Sequence, residues 1–380
     1  MKFIHLSDLH IGKHVNGKSM LEEQNFIFRQ ILEIITKHNP DVVLIAGDIY
    51  DKTVPSAEAV QLCDWLLSEV TKHLRIGAKL FVSSGNHDSA ERIAFGASIM
   101  SKSGVYVSPV YDGVVQPIPV SDEFGEVMVY MLPFVKPTIV RHYFDDEKIE
   151  SYNDAVAVAI KKMNVDTSKR NILVAHQFVT GSERTDSEEV SVGGLDNVDV
   201  SVFSDFDYVA LGHLHRPQYC GRETVRYAGS PLKYSFSEVA DSKCVTIVEI
   251  GEKGELKLSF EPLVPLHDWH DLRGTYEELV TKSFYENSPY QSDFVRITLT
   301  DENDVPDAIG KLRTIYHNIL ELRYDNKRTQ AISNGVIQHV DVSKTPDVLF
   351  SQLYEMQNNQ PMSTEQSEFM SGLIEKIWEK

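Results

Sequence analysis

The sequence is poor in cysteine and has no long apolar run, and both absences exclude classes of protein. Only three cysteines, Cys63, Cys220 and Cys244, occur among 380 residues, and no two of them form a CxxC pair. This argues against a zinc ribbon or a disulfide-stabilised fold and suits a reducing compartment. The longest apolar stretches, such as residues 42–46, have the length of a strand, and Asp8 lies where a signal peptide would be apolar. We therefore predict a cytoplasmic protein without a membrane segment.

The sequence also lacks an excess of basic residues. Lysine and arginine number 37 against 56 acidic residues, so the formal net charge is −19. The formal net charge is −8 for the region from residue 267 onward and −11 for the first 266 residues. A self-sufficient DNA clamp would carry a basic face, and neither region is basic. The charge does not exclude a DNA enzyme that obtains positive charge from metal ions or from a partner protein.

The first half of the chain alternates short apolar runs with longer amphipathic patterns. The runs predict strands at residues 3–6, 42–46 and 80–83, and the 3.6-residue period predicts helices over residues 19–37 and 55–74. We interpret Ser19 and Glu22 as a capping box at the start of the first helix. Strands at this spacing with helices between them indicate a layered α/β sheet.

Later strands are closer together, and residues 251–254 predict a hairpin turn. These strands are predicted at residues 127–132, 172–175, 208–211, 244–250 and 256–260. The mixture favours a two-sheet α/β/β/α sandwich over a doubly wound single sheet. At roughly 100–200 residues per domain, the length suggests two or three domains. We place the sandwich at residues 1–265, a small α+β capping module at 266–341, and a helical tail at 342–380.

The module and the tail contain the remaining predicted elements. The module should have a strand at residues 294–299 and a helix over residues 305–320. The tail should form two amphipathic helices, the second capped by Ser363 and Gln366. Its apolar stripe either packs back on its own domain or docks on another protein as a helix in a groove.

Polar residues follow five of the predicted strands, at the point where each strand ends. They are Asp8 and His10, Asp48 and Asp51, Asn86 and His87, His176, and His213 and His215. Because sites in α/β sheets form at the carboxyl ends of strands, we expect one shared edge. Carboxylate, amide and imidazole ligands without thiolate suit two adjacent divalent ions, with Asp48 as the bridging carboxylate. Taken singly, each motif is also typical of a surface turn or a hydrogen-bonded core pair.

Together the motifs resemble the signature blocks of the calcineurin-like metallophosphoesterases. The blocks are DLH, GDIYD, GNHD, a lone AH and GHLH. The flanking segments LSDLHIGK, AGDIYDKTVPS, SSGNHDSAERIAFG, FDYVALGHLHRPQ and YAGSPLKYSFSE are similar to the nuclease subunits of SbcCD complexes. This resemblance is strong over residues 1–265 and looser over residues 266–380. It implies the two-sheet metallophosphoesterase sandwich with a capping domain.

The resemblance also implies roles for individual residues. One metal would be held by Asp8, His10, Asp48 and His215, and the other by Asp48, Asn86, His176 and His213. His87 matches the catalytic histidine of the family, which is not a ligand and would act as a general acid toward the leaving oxygen. Asp51 would orient His87, or it is merely a turn acid.

The resemblance further implies manganese as the metal and DNA as the substrate. The expected activities are those of a double-strand exonuclease and a single-strand or hairpin endonuclease in DNA repair, recombination and replication-associated processing. The expected partner is an SbcC-type coiled-coil ATPase gripped by the tail, with a homodimer of the nuclease inside a heterotetramer. The charge then predicts weak DNA binding by the isolated chain, since the partner would supply much of the affinity.

Two other functions remain open from the sequence. The substrate could instead be a phosphoprotein or a small nucleotide, although protein phosphatases resemble GDxxDRG and GNHE, which this chain lacks. The chain could also be a metal-stabilised scaffold for its partner, against which the presence of His87 and a complete ligand set argues.

Overall fold

The computed structural model describes residues 1–108, 110–188, 197–327, 329, 345–358 and 360–378. The chain divides into two compact units, Met1–Asp268 and Trp269–Lys380. The predicted division into three domains stays a prediction, and its boundary at residue 341 lies outside the described residues. No helix in the described ranges combines the length and the apolarity needed to cross a bilayer. Cys63, Cys220 and Cys244 are free thiols.

The first unit contains two six-stranded sheets. Its strands are β1 (Lys2–Leu6), β2 (His14–Val15), β3 (Lys18–Ser19), β4 (Val42–Ala46), β5 (Lys79–Ser83), β6 (Val105–Val107), β7 (Ile118–Asp122), β8 (Gly125–Leu132), β9 (Arg170–His176), β10 (Phe178–Val179), β11 (Asn197–Val198), β12 (Tyr208–Gly212), β13 (Gln218–Cys220), β14 (Arg222–Tyr227), β15 (Cys244–Ile250) and β16 (Leu256–Pro262). Its helices are α1 (Leu21–His38), α2 (Ala57–His73), α3 (Ala90–Ile93), α4 (Ala97–Met100), α5 (Pro137–Tyr143) and α6 (Tyr152–Lys162). The predicted strands are confirmed, and so is the hairpin between β15 and β16.

Four neighbouring strands run parallel in each large sheet. The strand orders are β16-β15-β1-β4-β5-β6 and β13-β14-β12-β9-β8-β7. In the first sheet β1, β4, β5 and β6 are parallel, and in the second β14, β12, β9 and β8 are parallel. The carboxyl ends of each parallel set therefore lie along one edge of its sheet.

The apolar core of this unit lies between the sheets and on their outer faces. Phe3 and Leu44 of the first sheet pack with Ile172 and Tyr208 of the second. On the outer face of the second sheet, Val156 of α6 belongs to a further buried cluster. Every residue of β4 is buried, so both faces of the first sheet are covered. The arrangement is the predicted α/β/β/α sandwich.

The second unit is built on a three-stranded parallel sheet. Its strands are β17 (Trp269–Gly274), β18 (Phe294–Leu299) and β19 (Asn318–Tyr324). Its helices are α7 (Tyr276–Leu279), α8 (Lys282–Tyr285), α9 (Ala308–Arg313), α10 (Pro346–Asn358) and α11 (Thr364–Trp378). The two tail helices were predicted, and the capping box of α11 is confirmed, since Ser363 and Gln366 exchange hydrogen bonds of 2.9 and 3.2 Å.

Two local predictions were wrong. The helix expected over residues 305–320 is limited to Ala308–Arg313, and β19 begins at Asn318. The buried residues Leu312, Tyr316 and Ile319 are spaced as on a helix face, but the last two belong to a turn and a strand. The capping box at Ser19 does not form either. That serine lies in β3 and accepts only a 3.4 Å hydrogen bond from the N–H of Leu21.

Candidate metal centre

The residues predicted at five strand ends lie at one edge of the sandwich. Asp8 and His10 follow β1, Asp48 follows β4, Asn86 and His87 follow β5, His176 ends β9, and His213 and His215 follow β12. The first three strands belong to one sheet and the last two to the other. The structure thus brings together all the predicted metal ligands and His87.

The backbone is strained at four of these positions. Asp8, His10, Asp48 and His213 have positive φ values of 52°, 44°, 50° and 107°. The other non-glycine residues with positive φ in the described part of the chain are all asparagine or aspartate. A non-glycine residue held in this region costs about 1–3 kcal/mol, and such strain collects at functional sites. The strained turns aim the side chains into a common space.

Three glycines let the loops approach one another closely. A Cβ at Gly47 would collide with the ring of His176, and one at Gly85 would collide with Asp48. A Cβ at Gly212 would collide with the carbonyl oxygen of Ala46. Only Gly47 of these three has a positive φ, of 83°. The glycines before the site residues are therefore needed mainly for close packing.

One half of the site joins β1 to β12. The Nε2 atoms of His10 and His215 lie 2.9 Å apart. Asp8 accepts a hydrogen bond of 2.9 Å from the backbone N–H of His213 through Oδ1, while its buried Oδ2 has no hydrogen-bond partner among the described residues. An unpartnered buried carboxylate oxygen is costly, and a cation beside it would satisfy it.

The other half of the site surrounds Asn86. The amide oxygen of Asn86 lies 3.0 Å from Nε2 of His176 and 2.9 Å from Nδ1 of His213. The Nδ1 atom of His176 lies 2.9 Å from the carbonyl oxygen of Ala46 and therefore carries the proton of the neutral ring. Its Nε2 then presents a lone pair to Asn86 and to Oδ2 of Asp48 at 3.3 Å. Lone pairs facing one another require a positive charge between them.

The ionisation of the buried groups agrees with this requirement. Burial lowers the pKa of His10 well below its usual range and lowers the pKa of His213 to about 3, so both rings stay neutral. Burial would raise the pKa of Asp48, but the nearby His176 holds it well below its usual range. Burial lowers the pKa of His176, yet the Asp48 carboxylate outweighs this and raises it to about 9. A proton on His176 thus supplies positive charge where a metal ion would.

The donor set fits divalent cations. Three groups of side chains place one potential ligand atom each within 4.8 Å of one another. They are Asp8, His10 and His215; His10, Asp48 and His87; and Asp8, Asp48 and His176. Neutral imidazoles, carboxylates and an amide oxygen without thiolate suit Mn, Fe or Zn. Because Asp48 and Asp8 each occur in two groups, the ligand atoms form one continuous cluster.

His87 is the more exposed member of the cluster. Its side chain is 14% exposed, and its Nε2 lies 4.0 Å from Oδ2 of Asp48. Its Nδ1 lies 3.0 Å from the backbone carbonyl oxygen of Asp51. The carboxylate of Asp51 instead contacts Nζ of Lys13 at 2.8 Å. Asp51 thus contacts His87 through its main chain, which no sequence pattern indicated.

Sequence reasoning missed the residues that support the first loop. Gln24 of α1 donates to the carbonyl oxygen of His10 at 2.7 Å and accepts from the N–H of Gly12 at 3.0 Å. The hydroxyl of Tyr234 donates to the carbonyl oxygen of Leu9 at 2.7 Å. Gln24 lies within α1 and Tyr234 lies well beyond the end of β14, so reasoning about residues directly at strand ends could not find them.

Asp88 ties two of the loops together. Its carboxylate accepts from the backbone N–H groups of Ile49, Tyr50 and Gly85 at 3.0, 2.9 and 2.9 Å. Burial, together with the nearby Asp48, raises the pKa of Asp88 to about 6. The last residue of the GNHD motif is therefore a support for the loops that carry Asp48 and Asn86.

A comparison with family models agrees with this fold and site. Residues 1–217 match the model of the calcineurin-like phosphoesterases, and residues 262–358 match the model described as the type 5 capsule protein repressor C-terminal domain. The chain belongs to the calcineurin-like phosphoesterase family, and it is a metal-dependent phosphoesterase. The resemblance predicted from the five sequence blocks is confirmed.

The chain is also similar to a nuclease subunit over its whole length. It is 33% identical to the SbcD subunit of the nuclease SbcCD of Staphylococcus epidermidis, and the alignment covers 100% of both chains. Among solved structures it is similar to a dimetal phosphatase from Danio rerio. That match has 11% identity, a TM-score of 0.39, and coverage of 70% of this chain and 96% of the other. The similarity to the phosphatase is too distant to inform substrate or partner.

Proposed function

We propose that this protein is a DNA nuclease with two divalent metal ions, and that the metal is manganese. Its activities would be those of a double-strand exonuclease and a single-strand or hairpin endonuclease. The observation that carries the proposal is the buried cluster of ligand atoms beneath one partly exposed histidine. The full-length similarity to a chain named as a subunit of the nuclease SbcCD supports DNA as the substrate.

The metal ligands are proposed from the predicted assignment. Asp8, His10, Asp48 and His215 would hold one ion, and Asp48, Asn86, His176 and His213 would hold the other. When bound, the two ions would neutralise charge on the phosphodiester and lower the pKa of water. Asp48 suits the shared position because its carboxylate lies within reach of His10 and His176, at 3.5 and 3.3 Å.

His87 would be the general acid. Its Nδ1–H donates to the carbonyl oxygen of Asp51, so its Nε2 faces the ligand cluster. Protonated at Nε2, the ring can deliver a proton to the leaving oxygen as the P–O bond breaks, a role suited to imidazole near neutral pH. Asp51 would fix this orientation through its main chain, while its carboxylate keeps Lys13 beside the site.

The tail helices would dock on a partner, which we propose to be an SbcC-like coiled-coil ATPase. In α10 and α11 the large apolar side chains Val348, Leu353, Phe369 and Leu373 are between 40% and 70% exposed. The two helices contact each other through a 3.0 Å hydrogen bond between Ser371 and Asp347. Amphipathic helices with such faces suit a groove on a partner protein. The name of the curated relative supports an SbcCD-type assembly.

A second copy of the chain would complete the assembly as a homodimer within a heterotetramer. Val60 of α2, and Phe95 and Ile99 near α4, are 45%, 87% and 73% exposed. Exposed apolar side chains of this size are common at interfaces between copies. The assembly would act in the cytoplasm, in DNA repair, recombination and replication-associated processing.

The decisive experiment is a cleavage assay with the purified chain and a co-purified coiled-coil ATPase. We expect Mn²⁺-dependent cleavage of a DNA hairpin and of duplex ends, with hydrolysis of a phosphodiester model substrate exceeding that of a phosphomonoester. Hydrolysis of the monoester alone would indicate a phosphatase. Co-purification without cleavage of any substrate would indicate a scaffold, and either result would contradict the proposal.

A further inference from the structure

We propose that Ser187, Glu238 and Lys243 form a relay that positions His215 by fixing which ring nitrogen carries the proton. The inference rests on the proposed role of His215 as a metal ligand and names three residues that act on it. None of the three contacts the ligand cluster itself except through His215. They come from separate segments of the first unit, which fold together behind the histidine.

The hydroxyl of Ser187 determines the direction of the relay. Its Oγ lies 2.6 Å from Nδ1 of His215, 2.7 Å from Oε1 of Glu238 and 2.8 Å from Oγ1 of Thr185, a hydroxyl that can itself donate to Ser187. A hydroxyl has one proton to donate, and an ionised carboxylate can only accept. Ser187 therefore donates to Glu238 and accepts from His215, which places the imidazole proton on Nδ1.

Lys243 keeps Glu238 ionised. The Nζ atom of Lys243 lies 2.6 Å from Oε2 of Glu238, and both side chains are almost fully buried, at 4% and 0% exposed. The same carboxylate also accepts from the N–H of Tyr234 at 3.2 Å and from the hydroxyl of Ser235 at 3.0 Å. Together with the hydroxyl of Ser187, four donors surround this buried carboxylate, which is therefore ionised and can only accept hydrogen bonds.

The backbone of His215 is held by the same region. Its carbonyl oxygen accepts from Nζ of Lys243 at 2.7 Å, and its N–H donates to Oε1 of Glu188 at 2.7 Å. The residue is therefore fixed at its main chain as well as at its ring. The ring cannot rotate without breaking its buried hydrogen bond to the hydroxyl of Ser187.

The consequence is a lone pair on Nε2 that points into the ligand cluster. With the proton on Nδ1, Nε2 of His215 faces Nε2 of His10 at 2.9 Å and joins Asp8 in one group of ligand atoms. The rings of His176 and His87 have a backbone carbonyl oxygen at Nδ1 instead. His215 depends on a side chain, so its positioning can be removed by substitution.

The test is a calorimetric titration of the metal-free full-length protein with Mn²⁺. Ser187→Ala deletes one oxygen and should weaken one Mn²⁺ site by about 10- to 100-fold, as losses of hydrogen bonds to ligands do. Ser187→Thr keeps the hydroxyl and should restore the affinity. The matched control is Ser235→Ala, which removes another hydrogen bond to Glu238 without touching His215, and should bind Mn²⁺ as the unsubstituted chain does.

A second measurement does not depend on the metal. In ¹⁵N-histidine spectra of the metal-free protein, the His215 signals are those lost in His215→Ala, and they should report a proton on Nδ1. Ser187→Ala should shift these signals toward a mixture of the two neutral tautomers, with the proton on Nδ1 or on Nε2. Unchanged signals in Ser187→Ala would overturn the relay.

The outcomes separate the inference from the proposed function. If His215→Ala loses a Mn²⁺ site while Ser187→Ala binds normally, the relay is wrong and the ligand role stands. If His215→Ala itself binds Mn²⁺ normally, the proposed ligand role fails, and the relay fails with it. Equal losses in Ser235→Ala and Ser187→Ala would show an effect of packing around Glu238 and would also overturn the relay.

Discussion

Strand β9 has an ionisable side chain at each end, Arg170 at its start and His176 at its end. The two side chains differ in whether their hydrogen-bond partners complement them. At its start, Arg170 is 4% exposed and donates to both oxygens of Asp122 at 3.0 and 2.6 Å, and to the carbonyl oxygens of Gly125 and Gly251 at 2.8 Å each. At its end, the Nε2 of His176 faces the oxygens of Asn86 and Asp48. One end is a closed network, whereas at the other end the ring of His176 meets two acceptor oxygens and needs a proton or a metal ion between them.

The difference separates a buried charge whose partners all lie within the protein from a candidate metal site whose acceptor atoms face one another. A buried ion pair with every donor and acceptor used is a structural element, and removing one partner leaves the other uncompensated. A buried cluster with unpartnered acceptors is unfavourable without a ligand, so it persists where a ligand is bound. Each of the following predictions concerns a change at one end of β9, either in the Arg170 network or in the candidate metal centre. We expect the properties of the other end to be unaffected.

The largest effect is expected from His87→Ala. Cleavage of a DNA hairpin should fall by about 100- to 10,000-fold, because the leaving oxygen loses its proton donor. The melting temperature and Mn²⁺ binding should be unchanged, since the side chain is at the rim of the cluster. His142→Ala, on the exposed face of α5, is the control. Equal cleavage by both variants would contradict the assigned role.

The next largest effect is expected on the free energy of unfolding, from a change in the Arg170 network at the start of β9. Arg170→Met should lower the free energy of unfolding by about 3 kcal/mol, because Asp122 and two carbonyl oxygens lose their buried donor. Lys169→Met removes the neighbouring exposed pair with Glu126, and should cost less than about 1 kcal/mol. Urea denaturation measures both. A similar small loss in the two variants would show that Arg170 is not a buried structural charge.

A smaller effect concerns stabilisation by metal. Mn²⁺ at 100 times its dissociation constant should raise the stability of the unsubstituted protein by about 2.7 kcal/mol for each occupied site, because the ion binds only the folded state. Asp8→Asn should lose much of this gain while remaining as stable as the unsubstituted protein without metal, since Oδ2 of Asp8 has no hydrogen-bond partner to lose among the described residues. Asp146→Asn, at an exposed position, should keep the full thermal shift.

The smallest effect is a pH dependence in the Arg170 network at the start of β9. Hydrogen bonds from Arg170 hold the pKa of Asp122 well below its usual range. The stability from this group is therefore present above the unfolded pKa of about 4, and is lost as the pH falls toward the folded pKa. Asp122→Asn should remove about 1–2 kcal/mol of stability near pH 6 and little near pH 2. Parallel pH curves for the two proteins would refute the depressed pKa.

Much of the fold and of the candidate site could be predicted because local signals pointed the same way. Strands such as β4 are fully apolar, and the polar residues begin where they end. Parallel strands bring their carboxyl ends to one edge, so strand-end motifs far apart in sequence predicted one cluster. Where a periodicity crossed from a helix into a turn and a strand, as at Leu312, Tyr316 and Ile319, the same reasoning was wrong.

The supporting residues could not be predicted, because their importance depends on burial and partners. Glu238 and Lys243 are ordinary charged residues in sequence, and Gln24 is one of several polar residues in an amphipathic helix. Only the folded chain shows that the first two form a buried pair and that Gln24 holds the backbone of the first loop. The hydroxyl of Tyr234 reaches the carbonyl oxygen of Leu9 across 225 residues of sequence, and a contact of this kind has no periodic signature.

The sequence by itself therefore determined the layered sandwich, the edge of the sheets that carries the candidate site and the residue types found there. It could do so because strand period, glycine placement and strand-end polarity act within a few residues. The tertiary structure decided which atoms meet: that Asp51 reaches His87 through its carbonyl oxygen, and that His215 depends on Ser187. Those contacts depend on how two sheets and their loops pack, and packing is a property of the whole unit.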